Sequence, residues 1–187
     1  MRDSIKSLVK IFANTYKIGE PVYEFGSMQV EGQEGFADLR PYFSGKEYVG
    51  CDNREGLGVD LVIDLHELQY IDFEQPPRTV LCMDTMEHVE YPREALIGIE
   101  QLMSSDGILL ISSVMNFRIH GYPDDYWRFT PSGFKSLLKD FPHSFVGSAG
   151  QDLFPHTVIG IGFKSDVLPE EHITFVAEFM DWKKRYR

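Results

Sequence analysis

The chain has 187 residues, 43% of them hydrophobic and 25% charged, with 29 acidic side chains against 18 basic ones and a formal net charge of −11. That length suits one domain, residues 1–187, which can bury a full core without disulfide or metal staples. Its ordinary apolar content and aperiodic glycines exclude collagen-like, coiled-coil and disordered classes. The acidic balance argues against nucleic acid or an anionic membrane as partner, since both select basic surfaces. No stretch has the basic start and apolar middle of a signal peptide, and no apolar run approaches a membrane span, so a cytoplasmic location is expected. Cys51 and Cys82 each sit inside an apolar run and read as small core residues of a reducing compartment.

Taken in chain order, Ile5, Leu8, Val9, Phe12 and Tyr16 have helical spacing within an N-terminal segment, residues 1–19, with Asp3 or Ser4 as cap and Gly19 as stop. Residues 21–26 form a short β-prone run ending at glycine. A short helix through Phe36 and Leu39 is limited by Pro41. Residues 47–51 and 61–63 read as a second and third strand, ending at Asp52 and Asp64. Residues 79–83 are apolar without alternation, as in a strand covered on both faces, and end at Asp84.

Pro92 suits the first turn of a helix whose buried stripe is Ala95, Leu96, Ile99, Leu102 and Met103, stopped by Asp106 and Gly107. Residues 108–114 are the longest β-prone run. Thr130 and Pro131 open a helix with Phe134, Leu137, Leu138 and Phe141 on one face. Residues 145–149 and 157–163 read as antiparallel neighbours, and Pro169 starts a last helix with a basic end that complements its dipole.

Strands alternating with helices predict an α/β fold with a mostly parallel sheet covered on both faces, and in such sheets a ligand binds outside the carboxyl ends of the strands. Four strand ends carry acids: Glu24, Asp52, Asp64 and Asp84. An acid after any one strand suits a cap or turn, but four face the same rim. A dinucleotide needs a glycine-rich turn that delivers pyrophosphate to a helix N-terminus. Residues 24–30 (Glu-Phe-Gly-Ser-Met-Gln-Val) have one early glycine, and Glu24 would repel a pyrophosphate, which disfavours a nucleotide-dependent oxidoreductase. The same acid suits a ligand carrying an ammonium and a sulfonium, and a carboxylate at the second strand end suits a ribose diol. S-adenosylmethionine has these groups.

The ordered pieces Val-Tyr-Glu-Phe-Gly-Ser, Tyr-Val-Gly-Cys-Asp, Val-Ile-Asp-Leu-His-Glu-Leu and Asp-Thr-Met-Glu-His-Val-Glu-Tyr-Pro precede a helix, Ser-Ser-Asp-Gly and an apolar strand. In that order the chain resembles a class I S-adenosylmethionine-dependent methyltransferase of the small-molecule type, over residues 22–163. The resemblance implies a Rossmann-like three-layer sandwich whose seven-stranded sheet has its last strand antiparallel, S-adenosylmethionine as cofactor and a small-molecule acceptor; a homo-oligomer is compatible with it. It implies that Glu24 and the backbone of Phe25, Gly26 and Ser27 hold the methionine end. Asp52, with Asn53 beside it, would take the ribose hydroxyls, and Asp64 with Leu65 the adenine. Asp84, Thr85 and Met86 would close the methionine side, with His88 near the transfer site. Met28 and Val30 stand where that family carries small residues, usually glycine, and Gly32 arrives late, which implies a reshaped loop.

Residues 115–130 are long for a connection and should overhang the same rim as a lid-like substrate loop. An Asp-Tyr-Trp-Arg-Phe-Thr-Pro run occurs at this place in the resembling methyltransferases. His120, His88 and Asp124 are the candidate catalytic groups, and Tyr122, Asp125, Tyr126, Trp127 and Arg128 the candidate acceptor contacts. Against this, Trp127 and Phe129 suit core plugs, Arg128 suits pairing with an acid, and Glu87 and His88 suit a helix start facing water. His120, Asp124 and Asp125 offer metal-ligand atoms, but no His-x-x-x-His or Cys-x-x-Cys spacing accompanies them, and no metal is expected. A methyltransferase-like module that binds cofactor or a protein partner without turnover is the alternative to an enzyme.

Overall fold

The computed structural model describes residues 1–121 and 124–187; Tyr122, a candidate acceptor contact, lies outside the described residues. The chain order is α1 (Asp3–Thr15), β1 (Val22–Phe25), β2 (Tyr48–Asp52), β3 (Leu61–Val62), β4 (Thr79–Met83), α2 (Pro92–Leu102), β5 (Ile108–Val114), α3 (Pro131–Leu137), β6 (His143–Gln151), β7 (Phe154–Phe163) and α4 (Pro169–Arg185). The strands form one sheet in the order β3-β2-β1-β4-β5-β7-β6. Every pairing among β1 to β5 is parallel, and β7 runs antiparallel between β5 and β6. The expected last antiparallel strand is therefore present.

Two cores explain the three layers. Tyr23, Phe25, Val80, Cys82, Leu109 and Ile111 pack with α2 and α3 on one face. Val22, Leu81, Met83, Ile108, Leu110 and Ile159 pack with α1 and α4 on the other. Successive strand residues point to opposite faces, so strands buried on both sides carry unbroken apolar runs; β4 and β5 are buried at every position. Cys51 and Cys82 are free and buried, as expected. No helix among the described residues is long and apolar enough to cross a membrane.

Three local expectations are corrected. Helix α1 is capped by Arg2 in extended conformation without a side-chain bond, because Asp3 lies already inside the first turn, and it ends at Thr15, ahead of Gly19. Chain around Leu39 forms no α-helix; a 3-10 turn covers Arg40–Phe43 instead, with Pro41 in its first turn. A proline lacks the N–H that an upstream helix would need, but it suits a first turn. Glu87 does not face water: it lies in a 3-10 turn, Met86–His88, and is fully buried. The Thr130 cap is present, its hydroxyl oxygen accepting from the Gly133 N–H at 3.0 Å.

Candidate functional site

A cavity of about 640 Å³ opens over the carboxyl ends of β1 to β5. Parallel strands bring their C-terminal ends to one side of a sheet, so residues distant in sequence share this rim. Glu24, Asp52, Asp64 and Asp84 all line it, as do Phe25, Gly26, Ser27, Asn53, Leu65 and Thr85. Met86 does not: it is fully buried in the core beneath.

At the β1 end, Glu24 is buried and its Oε2 accepts from the Tyr48 hydroxyl at 2.6 Å. Burial pushes its carboxyl up to about 7, against the pull of that hydrogen bond and of Arg40. Gly26 follows with φ of +86°, and a Cβ there would overlap the Thr85 hydroxyl. Glycine is therefore required both for the left-handed turn and for the close approach of the β4 end. The amides of Gly26 and Ser27 donate to the Cys51 carbonyl at 2.8 and 3.0 Å, tying this turn to β2. Ser27 Oγ is buried and has no hydrogen-bond partner among the described residues.

Asp52, at the end of β2, accepts from the Arg54 amide at 3.2 Å and the Met28 amide at 3.4 Å. Met28 turns toward the following loop, where its Cγ lies 2.9 Å from the position of a Cβ on Gly56. Its bulk is accommodated by the absence of a side chain there. Asp64 accepts from the His66 amide at 2.9 Å and faces His66 Nδ1 at 2.8 Å, a local turn at the cavity wall.

Asp84 adopts φ of +50°, a left-handed conformation that aspartate tolerates better than most residues. Its Oδ1 accepts from the Ser112 hydroxyl at 2.8 Å, and Arg2 from α1's start donates to both carboxylate oxygens at 2.8 and 3.1 Å. Arg2 also donates to Thr157 Oγ1 at 2.6 Å; His156 Nδ1 stands 2.7 Å from that oxygen, and His156 Nε2 2.8 Å from the Tyr186 carbonyl. Glu87, 0% exposed, accepts on Oε2 from the Ser113 hydroxyl at 2.6 Å, while its Oε1 is buried and unpartnered among the described residues. Burial, with Asp84 nearby, raises its carboxyl well above the ordinary range.

The segment after β5 lies across this end. The Glu87 carbonyl accepts from the amides of Tyr126 and Trp127 at 2.8 and 3.2 Å, and the Val114 carbonyl accepts from the Phe129 amide at 3.0 Å. The Trp127 indole, 44% exposed, donates to the Val89 carbonyl at 3.0 Å. Arg128 holds both oxygens of Asp125 at 2.5 and 2.8 Å, and the Asp125 side chain is only 3% exposed. That pairing holds the Asp125 carboxyl far below the usual carboxylate range. Asp125, Trp127 and Arg128 thus brace the segment and do not line the cavity, whereas His120, Asp124 and Tyr126 do. His88 Nδ1 stands 2.5 Å from the Asp124 carbonyl, and the rings of His88 and His120 meet edge to face at 4.7 Å. Burial lowers the His88 pKa.

Glu87, Arg2 and Phe117 also line the cavity, although nothing in the local sequence marks them. One signal does exist: Ser112 and Ser113 interrupt an otherwise apolar, fully buried strand, and buried hydroxyls need partners. Those partners are Asp84 and Glu87.

No protein-family model matches the chain, and no curated protein matches it. Solved structures do. A SAM-dependent methyltransferase from Archaeoglobus fulgidus superposes with a TM-score of 0.65 over 87% of this chain and 94% of its own, at 16% identity. The chain has the class I S-adenosylmethionine-dependent methyltransferase fold. A Burkholderia thailandensis 1,6-didemethyltoxoflavin-N1-methyltransferase, solved with bound 1,6-didemethyltoxoflavin and S-adenosylhomocysteine, gives a TM-score of 0.62 over 88% of this chain and 79% of its own, at 15% identity. A Haloferax volcanii methyltransferase in complex with the Trm112 activator gives 0.61 over 89% and 92%, also at 15%. In this methyltransferase fold the acid-lined rim described above is the carboxyl-end crevice where α/β sheets hold ligands.

Proposed function

We propose that the protein is an S-adenosylmethionine-dependent methyltransferase acting on an oxygen or nitrogen of a small-molecule acceptor. One observation carries this reading: in the methyltransferase fold, the ends of β1, β2, β3 and β4 each place a carboxylate on a single cavity of about 640 Å³. That volume lies within the range of small-molecule sites.

The residues fit the cofactor. Glu24 offers a carboxylate to an ammonium group, and the buried, unpartnered Ser27 hydroxyl offers a polar contact beside it. Asp52 offers two acceptor oxygens to a ribose diol, with Asn53 adjacent, and Asp64 with the Leu65 backbone suits the adenine edge. Asp84 and Thr85 face the methionine side. When bound, S-adenosylmethionine supplies a methyl group on a charged sulfur, already activated for in-line displacement. The chain's own residues therefore have to position two reactants and exclude water.

The acceptor end lies at His88, His120 and Asp124. His88 Nδ1 faces a carbonyl, which only accepts, so that nitrogen carries the proton and Nε2 keeps its lone pair. Nε2 then takes the proton of an acceptor hydroxyl, and the lowered His88 pKa keeps the ring neutral for that task. Tyr126 serves as an acceptor contact, while Asp125, Trp127 and Arg128 support it by holding the segment in place.

The test is thermal stabilisation by S-adenosylmethionine, S-adenosylhomocysteine and NADH side by side. Saturation at 100 dissociation constants stabilises by about 2.7 kcal/mol, so a clear shift with both sulfur ligands and none with NADH is expected. No shift with either sulfur ligand would refute the reading. Binding without transfer to a broad acceptor panel would favour a module without turnover.

A further inference from the structure

Among the described residues, Glu87, His88 and His120 each offer a ligand atom within 4.8 Å of the other two. We infer that these three side chains bind a divalent first-row transition cation, of the Zn²⁺, Mn²⁺ or Co²⁺ kind, at the acceptor end of the cavity. Two imidazoles and one carboxylate form a mixed nitrogen and oxygen set that suits such ions better than Ca²⁺ or Mg²⁺, which prefer all-oxygen shells.

Three independent features support the site. First, both rings are oriented through Nδ1. His88 Nδ1 faces the Asp124 carbonyl at 2.5 Å, and His120 Nδ1 faces the Arg118 carbonyl at 3.3 Å and Asp125 Oδ2 at 3.2 Å. Each of those partners is an acceptor, so each Nδ1 donates and each Nε2 is left with its lone pair. Metal-bound histidines are held in this way, the second nitrogen donating to a carbonyl or carboxylate. Asp125 is in turn locked by Arg128, which makes the support rigid.

Second, Glu87 Oε1 is buried with no hydrogen-bond partner among the described residues, while Oε2 is satisfied by Ser113. An unpartnered buried carboxylate oxygen is costly, and a cation beside it removes that cost. Arg2 donates no hydrogen bond to Glu87, because its guanidinium is engaged by Asp84 and Thr157, and only its charge reaches that carboxyl. Third, three protein ligands leave coordination positions open, and all three residues line the cavity. Open positions distinguish catalytic metal sites from closed structural ones. Bonds of about 2.1 Å bring ligand atoms to about 3–4 Å from one another. Closing from at most 4.8 Å therefore needs only a small shift of the two half-buried histidine side chains, with their Nδ1 partners kept.

The cation's role rests on the methyltransferase reading; its binding does not. With the ion present, the Nε2 lone pairs serve the metal rather than the acceptor's proton. The acceptor then belongs to the class with a hydroxyl beside a second oxygen or nitrogen donor, which holds the ion at two points and whose hydroxyl, acidified by the ion, gives its proton to water.

The test uses the full chain, stripped with a chelator and titrated with CoCl₂ while the visible absorption of the ion is followed. One saturable Co²⁺ per chain is expected. His88→Ala and His120→Ala should each weaken it at least about tenfold, and His143→Ala, at the far end of the sheet, should leave it unchanged. Circular dichroism of each variant separates lost binding from lost folding, and His120, on a half-exposed loop position, is the variant least bound to the core. No saturable band at millimolar cobalt, or equal affinity in a folded His120→Ala variant, would overturn the site. Stabilisation by S-adenosylmethionine is measured on the same samples. Cobalt binding without it supports the site and refutes the methyltransferase reading alone; the reverse refutes the site alone.

Discussion

The two ends of the cavity are built by different means. At the β1 to β3 end, each carboxylate stands at the end of its own strand, and parallel pairing delivers it to the rim. At the β4 and β5 end, Glu87 is fixed by Ser113, 26 positions later, and His88 meets His120 through a segment pinned by main-chain bonds. One end needs only the sheet to form. The other needs the sheet, a 3-10 turn and a long connection to agree, so it is the end where function can change without disturbing the fold.

Substitutions separate the ends by size of effect. Gly26→Ala should be the most damaging: a left-handed alanine and an overlap with Thr85 together cost about 2–4 kcal/mol in urea unfolding, with S-adenosylmethionine binding abolished. The pH response comes next. The Glu24 carboxyl sits at about 7 in the folded protein against an ordinary 4.5. The folded state thus holds that proton more tightly. The stability this provides is full below 4.5 and lost as pH rises through 7, about 3 kcal/mol in all. Glu24→Gln should remove that part of the pH dependence in denaturation curves. Cofactor affinity should run the other way in calorimetry, rising with pH as the carboxylate ionises to meet an ammonium.

Asp52→Ala should weaken S-adenosylmethionine by more than about tenfold, or 1.4 kcal/mol, in direct titration; unchanged affinity would show the ribose assignment to be wrong. His120→Ala should lower turnover and leave cofactor affinity unchanged, and equal loss of both would erase the division between the ends. Smallest is Arg128→Lys. It replaces a two-pronged grip on Asp125 by a single contact, at about 1 kcal/mol, with faster hydrogen exchange confined to residues 124–130.

The same division governs what can be read from sequence. Continuous apolar runs in β4 and β5 and acids at strand ends are local patterns, and both strands begin and end where residues 79–83 and 108–114 place them. Cap and turn chemistry at Thr130 is local too. Burial of Glu87 is not local: it depends on a hydroxyl in another strand, and an acid followed by histidine looks like a solvated turn until that strand is in place. Asp125 and Arg128 are close in sequence, yet only the fold shows them holding each other instead of lining the cavity. The displaced 3-10 turn over Arg40–Phe43 reflects a proline that can end one helix or begin another.

The row of contacts from Arg2 to the end of α4 has a direction. The Tyr186 carbonyl only accepts, so His156 Nε2 donates to it and Nδ1 accepts from the Thr157 hydroxyl, whose oxygen takes the Arg2 N–H. Each donor hands on to the next acceptor, and aligned bonds of this kind polarise one another. The C-cap of α4 and the mouth of the cavity therefore belong to one electrostatic unit. The guanidinium that grips Asp84 through Nε and Nη2 is held on its remaining nitrogen by a row that ends beyond the cavity lining.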